Sequence, residues 1–483
     1  MKTIKTLITI FIMTLGLTSC DDELDIAPFV QGDADTFYNS VNNFEIALNG
    51  MYSSFFDYYS NGSGVQGLPD ILSDNAIIAR TGRGSNQVFS DFTYGANNGG
   101  YITSVFNGAY TTIRRANLMI SQIDNIDGEA ERDNILGQAL AGRAFAHLDL
   151  VRTYGKIPTQ SADANASLGI TYIKEPIDAL SQLSRETVAS NYENIITDLT
   201  DALALIDETT LADEDKTEGV FNKNAVRGML SRVYLYTGDY DAVIDIVDEI
   251  TAPLATRTQI PGVYTDSNDN GLLVEFAVNT ASESNFNNVG VIYSQTISGS
   301  TVSEFAVDFG LFNELDITDV RKDIVAFTAS NEGNTYNGIN KFIGETEQVN
   351  GRVDIKALRV AEAILNKAEA QFELGLEGDA LITLDLLRAQ RFSPFTIGTE
   401  TGQDLEDAIQ LNRRIELAFE GHRFYDLKRR GEDIVRGTFG DLSNGSGTPH
   451  TTQTIEAGNF RFQLPIPQAE INVNPNYTQN EGY

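Results

Sequence analysis

The sequence predicts a mainly helical protein, built from antiparallel helix pairs that form a scaffold and carry long, loop-rich insertions with a few short strands. Three observations predict it. Apolar residues recur at helical spacing through several long stretches. Two of those stretches are paired, with a Gly and an Asp at the turn between their helices. Between these pairs, from about 252 to 351, the chain turns rich in Gly, Asn, Ser and Thr and the helical period is lost. The length of 483 residues with 41% apolar content supplies a large core.

The elements follow in chain order. Lys2 and Lys5 precede a short apolar run, Leu7 to Leu17, and then "LTSC" with Cys20, the one cysteine. The run is too short to span a bilayer and has the order of a signal peptide. Small residues followed directly by cysteine resemble a bacterial lipobox, so residues 1–19 are expected to be removed and Cys20 to carry lipid. Stable anchoring takes more than one acyl chain. Loss of Lys2 and Lys5 moves the net charge from −34 to −36. A body so acidic repels polyanions, which argues against nucleic acid as a partner. Residues 20–36, "CDDELDIAPFVQGDADT", give an acidic, aperiodic spacer. A single body is expected over 37–483.

In "NILGQALAGRAFAHLDLVRTYG", Leu140, Ala144, Leu148 and Val151 share one helical face, and Gly155 and Pro158 end it. "VASNYENIITDLTDALALID" gives another helix. "NAVRGMLSRVYLYTGDYDAVIDIVDEI" gives a pair. Asn224 is the expected N-cap, Gly238 the break and Asp239 the cap of the second helix, with Val243, Ile246, Val247 and Ile250 inward. "VAEAILNKAEAQFELGLEGDALITLDLLRAQR" repeats the pattern, with Gly375 at the break, Asp379 as the expected cap, and Leu381, Leu384 and Leu387 inward. Pairs of this kind look like degenerate tetratricopeptide units, which bury their apolar faces only by stacking. The scaffold is expected over about 37–250 and 352–431, with the insertion between them. Within the insertion, 272–278 ("LLVEFAV") and 289–296 ("VGVIYSQT") are expected strands. The stretch 432–483 is expected to wrap the surface in extended form, packing Phe460, Phe462 and Leu464 by alternation.

The segment 413–431, "RRIELAFEGHRFYDLKRRG", holds six Lys/Arg and three Asp/Glu in an acidic chain. It fits one amphipathic helix with Leu417, Phe424 and Leu427 inward and Gly421 letting a neighbour approach. Glu420–Arg423 and Asp426–Arg430 have ion-pair spacing. Lys428, Arg429 and Arg430 suit the helix C-terminus, and Gly431 suits the position after it. The basic residues are expected to neutralise acidic neighbours inside the scaffold. His147 and His422 have packing positions on helices. No histidine has metal-ligand spacing, the single cysteine excludes a cysteine-based metal or catalytic site, and no hydrolase elbow or P-loop is present. No cofactor is expected.

The lipobox, the acidic spacer and the helix pairs resemble the SusD/RagB family of outer-membrane lipoproteins of Bacteroidetes. So do "GRAFAHLDLVRTYGKIP", "ELAFEGHRFYDLKR" and the closing "LPIPQAEINVNPNYTQNEGY". The resemblance covers nearly the whole chain. It implies a non-enzymatic protein on the outer face of the outer membrane. It also implies capture of oligosaccharides, or in some branches peptides, and hand-over to a SusC-like TonB-dependent transporter. The family's ligand face is made by N-terminal loops and a middle insertion. Candidate contacts in those regions are Asp74, Asn75, Arg80, Arg83, Tyr94, Asn98 and Tyr101, with Tyr264, Tyr293 and Tyr336 in the insertion. Amides and carboxylates suit sugar hydroxyls, Arg suits paired hydroxyls or a carboxylate, and rings stack on the C–H face of a pyranose. The chain departs from the family's frequent Trp platforms, because it has no Trp. That keeps a peptide ligand open. A tetratricopeptide scaffold without a ligand and a secreted glycosidase are the readings from other classes.

Overall fold

A computed structural model describes residues 34–61, 64–79, 84, 86–98, 101–178, 180–207, 220–278, 289–294, 296–297, 300–301, 304–331, 333–342 and 353–483. Cys20, the spacer up to residue 33, Arg80 and Arg83 lie outside the described residues.

The first six long helices are α1 (Val41–Ser60), α2 (Tyr101–Ser121), α3 (Glu129–Tyr154), α4 (Val188–Leu205), α5 (Lys223–Thr237) and α6 (Tyr240–Asp248). Each packs on the one before it. Strand β1 (Ala76–Ile78) lies between α1 and α2. The insertion contributes β2 (Leu272–Phe276), α7 (Val289–Ser294), β3 (Phe305–Val307), α8 (Phe309–Asn313), β4 (Ala326–Asn331) and β5 (Asn334–Ile339). Then come β6 (Ile355–Arg359), α9 (Val360–Glu373), α10 (Glu377–Ala389), α11 (Gln403–Glu416), α12 (Arg423–Arg430) and α13 (Gln468–Val473). α9 stacks on α5 and α6, so the second pair continues the first across the insertion. β1, β3, β5 and β4 form an antiparallel sheet in that order, and β2 pairs with β6 antiparallel. The expected helical scaffold with small sheets is what the chain forms.

Local chemistry explains the joints and several corrections. Gly238 takes the left-handed conformation at φ 77° and Asp239 accepts from the N–H of Ala242, both as expected. The cap of α5 is Asn222 rather than Asn224, because the helix starts two residues earlier; Asn222 accepts from Ala225 N–H at 2.8 Å. Asp379 sits inside the first turn of α10 rather than capping it. The stretch 289–296 is largely helical, not a strand. Val289, Ile292 and Tyr293 fall at helical spacing and are all buried, and a short apolar run cannot separate the two periods. In the C-terminal wrap Phe462 and Leu464 are buried, while Phe460 is half-buried with its ring edge-on to Tyr483. That segment also holds a 3₁₀ turn at Phe460–Phe462 and the short helix α13.

The basic segment is two helices, not one. α11 ends at Glu416 and α12 starts at Arg423, with Phe419 at φ 65° and Gly421 at φ 79° between them. This break aims Glu416 and Glu420 inward together. Arg391 grips both oxygens of Glu416 at 2.9 Å, and Arg359 bridges Glu416 and Glu420 at 2.7–2.9 Å. Lys341 donates to Glu420 at 2.6 Å and Arg321 reaches Glu416 at 3.4 Å. Asp426 pairs with Arg413 and Arg429 instead of Arg430, and Arg429 clamps Glu369 at 2.6 and 2.7 Å. The expected Glu420–Arg423 and Asp426–Arg430 pairs thus give way to pairs between elements, with Asp426–Arg429 as a pair inside α12. The acids that neutralise the knot do lie inside the scaffold.

Candidate functional site

The described surface contains a cleft of about 570 Å³, within the range that holds small ligands. One wall is the outer face of α2. Its inner stripe, Ile102, Val105, Ala109, Ile113, Ala116 and Met119, is buried in the core. That leaves Asn107, Tyr110, Thr111, Arg114 and Leu118 on the other side, at i, i+3, i+4, i+7 and i+11. The second wall is the segment 171–177 with Ser181 and Leu183. The third is the C-terminal segment with Glu470, Asn474 and Tyr477.

Buried polar groups hold the second wall in place. Arg143 clamps Asp198 at 2.7 and 2.8 Å and donates to the carbonyl of Lys174 at 2.8 Å and to Asn117 at 3.0 Å. Asn117 in turn donates to Ile173 O at 2.9 Å. His147 accepts the Ile173 N–H through Nε2 at 3.0 Å and has Nδ1 2.8 Å from the Arg143 carbonyl, which assigns its proton to Nδ1. Its ring stacks on Tyr172 with centroids 3.7 Å apart. The third wall is tied across to the second. Asn474 and Asn476 donate to the carbonyls of Leu183 and Gln182, each at 2.8 Å, and Arg185 donates to Thr478 O at 3.0 Å.

Inside the cleft the Tyr110 hydroxyl donates to Thr171 O at 3.1 Å and meets the Tyr477 hydroxyl at 3.3 Å. Burial, with Tyr477 beside it, pushes the Tyr110 hydroxyl far above its ordinary range, so it stays protonated. The lining therefore combines aromatic side chains (the half-buried Tyr110 with the more deeply buried Phe106 and Tyr477) with amides and hydroxyls (Asn107, Thr111, Ser181, Asn474). Arg114, Glu175 and Glu470 border it. This mixture can stack a ring and hydrogen-bond several hydroxyls.

Burial pushes the His147 imidazole down to about 3, and the nearby cations Arg143 and Lys174 act in the same direction. A group whose pKa falls on folding binds its proton more tightly in the unfolded chain. Its contribution to stability is therefore complete above about pH 6.5 and is lost as pH falls from there towards 3. Denaturation curves between pH 6.5 and 4 should show up to about 1.4 kcal/mol lost per pH unit from this residue. His147→Gln should show a shallower slope; equal slopes in both proteins would contradict the assignment.

The residues singled out from sequence are placed differently. Asp74 is buried between Arg423 (2.8 and 3.0 Å) and Arg414 (3.1 Å). Burial alone would raise its carboxyl, but the two guanidiniums outweigh that and hold it well below the usual carboxylate range. Asn75 bonds Arg414 at 2.9 Å and Asp70 at 2.8 Å. Asp70 also accepts the N–H groups of Phe419 (3.0 Å) and Gly421 (3.2 Å), and burial raises its carboxyl to about 6. Tyr94 donates to Arg461 O, Tyr264 to Glu420 and Tyr293 to Gly67 O. These three rings and Tyr336 are at most 7% exposed. None of the four has an exposed ring face, a correction to the expectation: Tyr94 packs on Phe89 and Tyr483, Tyr264 lies under Lys341 and Arg359, Tyr293 packs on Phe342 and Phe419, and Tyr336 sits among Ile77, Ala79 and Ala306. Asn98 is exposed, accepts from Gly95 N–H at 2.7 Å, and leads with Tyr101 into α2.

Sequence reasoning missed Asn107, Tyr110, Asn474 and Tyr477. The polar and aromatic stripe on α2 was a usable signal; the meeting of that stripe with the chain's end was not. The acidic triad Asp266, Glu275 and Asp354 has the closeness of a metal site. Its centre is taken by the Lys356 ammonium, which pairs with Asp266 and with Glu275 (3.1 Å) and donates to Asp354 O at 2.9 Å. Burial raises Glu275 to about 7 against the pull of Lys356.

Comparison with known proteins adds the following. Residues 327–483 match a family model described as "SusD family", and residues 32–235 match one described as "Starch-binding associating with outer membrane". SusD-like protein P2 of Formosa agariphila is 26% identical over 99% of both chains. Starch-binding protein SusD of Bacteroides thetaiotaomicron is 35% identical over 27% of this chain and 22% of its own. A crystal structure of a putative sugar binding protein from Bacteroides vulgatus superposes with a TM-score of 0.78 at 27% identity, covering 92% of this chain and 99% of the other.

Proposed function

We propose, from the premise that the chain belongs to the SusD/RagB family, that it captures oligosaccharides at the cell surface and delivers them to a SusC-like TonB-dependent transporter. The family binds carbohydrate without catalysis and is associated with the outer membrane. No helix among the described residues is long and apolar enough to cross a membrane. In this reading Cys20 carries the lipid anchor, residues 20–36 hold the body off the membrane, and the body faces the exterior. The scaffold spans about 37–250 and 352–431, the insertion about 252–351 is a loop-rich surface that adds to ligand capture beyond the cleft, and 432–483 wraps the body.

The observation that carries the binding role is the cleft on α2, where aromatic side chains, amides and hydroxyls converge on walls fixed by buried polar bonds. Asn98 and Tyr101 stand at the N-terminal end of the same helix, and with Arg80 and Arg83 they are proposed as further contacts. The affinity should be moderate, since release must follow capture.

Calorimetric titration against neutral and uronate-containing oligosaccharides should give saturable binding to one class. Asn107→Ala, an exposed change, should weaken it about fivefold to tenfold, the worth of one hydrogen bond, without lowering Tm. An unchanged titration curve would remove the cleft from the reading. The aliphatic lining (Ile113, Leu118, Ile173, Ile177, Leu183) and the lack of Trp favour a peptide as the second reading. Binding of mixed peptides with silence from every glycan would select it.

A further inference from the structure

Several long helices of the scaffold turn charge to solvent. α4 exposes Glu193, Thr197 and Asp201, and α6 exposes Asp241, Asp245 and Asp248. α10 instead exposes Ile382 (64%) and Leu386 (58%), one turn apart on one face. Its opposite face is spent, since Ala380, Leu384 and Leu387 are buried against α9 and α11. The aliphatic surface continues at both ends of the helix. Leu374 and Leu376 stand in the turn before it. Ile397, 76% exposed, lies in the loop that folds back onto it through Gly398 N–H to Asp385 (2.8 Å) and Arg388 to Glu400 (3.0 Å). Ser393 N–H donates to Thr318 O at 3.0 Å, which brings Ile317, 81% exposed, beside the same loop.

A stacked helix array needs a polar outer face on its last helix; an apolar one is where a further helix stacks. α10 has the apolar kind, two large aliphatic side chains one turn apart, where α4 and α6 turn acids outward. The rim decides what can cover it. Asp316, Glu373 and Asp379 are exposed around the patch, and the one cation on the helix, Arg388, is committed to Asp385 and Glu400. A second copy would bring the same acids against these, from a chain that already carries −34. We propose that the outer face of α10, with Ile397 and Ile317, is a docking surface for a protein partner that presents an apolar helical ridge flanked by Lys and Arg.

The test uses a fluorescent amphipathic peptide with Leu at helical spacing and Lys flanks, its Glu-flanked counterpart, and the full-length protein. The Lys-flanked peptide should bind and weaken several-fold between low and moderate salt. Ile382→Ser with Leu386→Ser, both solvent-exposed, should weaken it at least tenfold, and the Glu-flanked peptide should not bind. Asp379→Lys, which keeps the aliphatic surface, should weaken the Lys-flanked peptide as well. Equal binding to wild type and the double variant would overturn the proposal, because attraction to the acidic surface at large would explain it. Absence of binding would overturn it too, as would sedimentation showing wild-type dimers that the double variant abolishes. Glycan titration of the double variant should be unchanged, so failure here leaves the reading of the α2 cleft standing.

Discussion

Glu416→Gln should lower the stability of the folded chain by about 3–5 kcal/mol, the scale for breaking a buried ion pair from one side. Glu416 is 2% exposed and its carboxylate faces Arg391, Arg359 and Arg321. Burial by itself would raise its pKa, but the guanidiniums overcome that and hold it well below the ordinary carboxylate range. Gln keeps the shape and removes the charge, so three cations lose their common counterion in a site closed to water. Arg321 comes from the insertion, and Arg359 and Arg391 from either side of the second helix pair. The loss should therefore be global, with one shifted transition in denaturant. Asp379→Asn, on the surface, should stay within about 0.5 kcal/mol. A Glu416→Gln protein as stable as that control would show that the cluster does not hold the insertion to the scaffold. The sign with pH follows from the depressed pKa: the contribution is complete above about pH 4.5 and fades only as pH falls through the much lower folded value.

Gly421→Ala should cost at least about 3 kcal/mol, from two sources that a control can separate. The residue sits at φ 79°, where a Cβ is disfavoured by about 1–2 kcal/mol. A Cβ there would also stand 2.3 Å from the carbonyl oxygen of Val65, a backbone atom that cannot step aside. The Gly421 N–H donates to Asp70, so a shift of the turn would loosen that buried carboxylate as well. Gly375 has nearly the same conformation, φ 75°, but open space around it. Gly375→Ala should show the conformational cost alone. If both variants lose the same stability, close approach at Gly421 contributes nothing.

These two sites also mark what the amino-acid order reveals. The helix pairs, the turn at Gly238, the cap at Asp239 and strand β2 were legible because each depends on residues within a turn or two of one another. The neutralising role of the basic segment was legible from its charge in an acidic chain. Its partners were not: Glu420 has Arg423 at ion-pair spacing, yet it bonds Arg359, because the break at Phe419 and Gly421 turns it inward. The candidate rings failed for a related reason. Tyr94, Tyr264 and Tyr336 stand in polar, loop-like sequence and Tyr293 in a short apolar run, and only tertiary packing decides that the rings fill core. The α2 cleft needs three stretches separated by most of the chain, and no local period announces such a meeting.

The Asp70–Asp74–Asn75 contacts with Arg414, Phe419, Gly421 and Arg423 join residues separated by 339–351 positions. Until residues 414–423 exist, Asp74 lacks both of its guanidiniums and Asp70 lacks the N–H groups of Phe419 and Gly421. A chain emerging from its N-terminus can form helices α1 to α6, but it closes this joint only after nearly all of it is made. Loops this long close slowly. The complete fold therefore waits on residues near 423, and the part of the chain made before them carries this joint open.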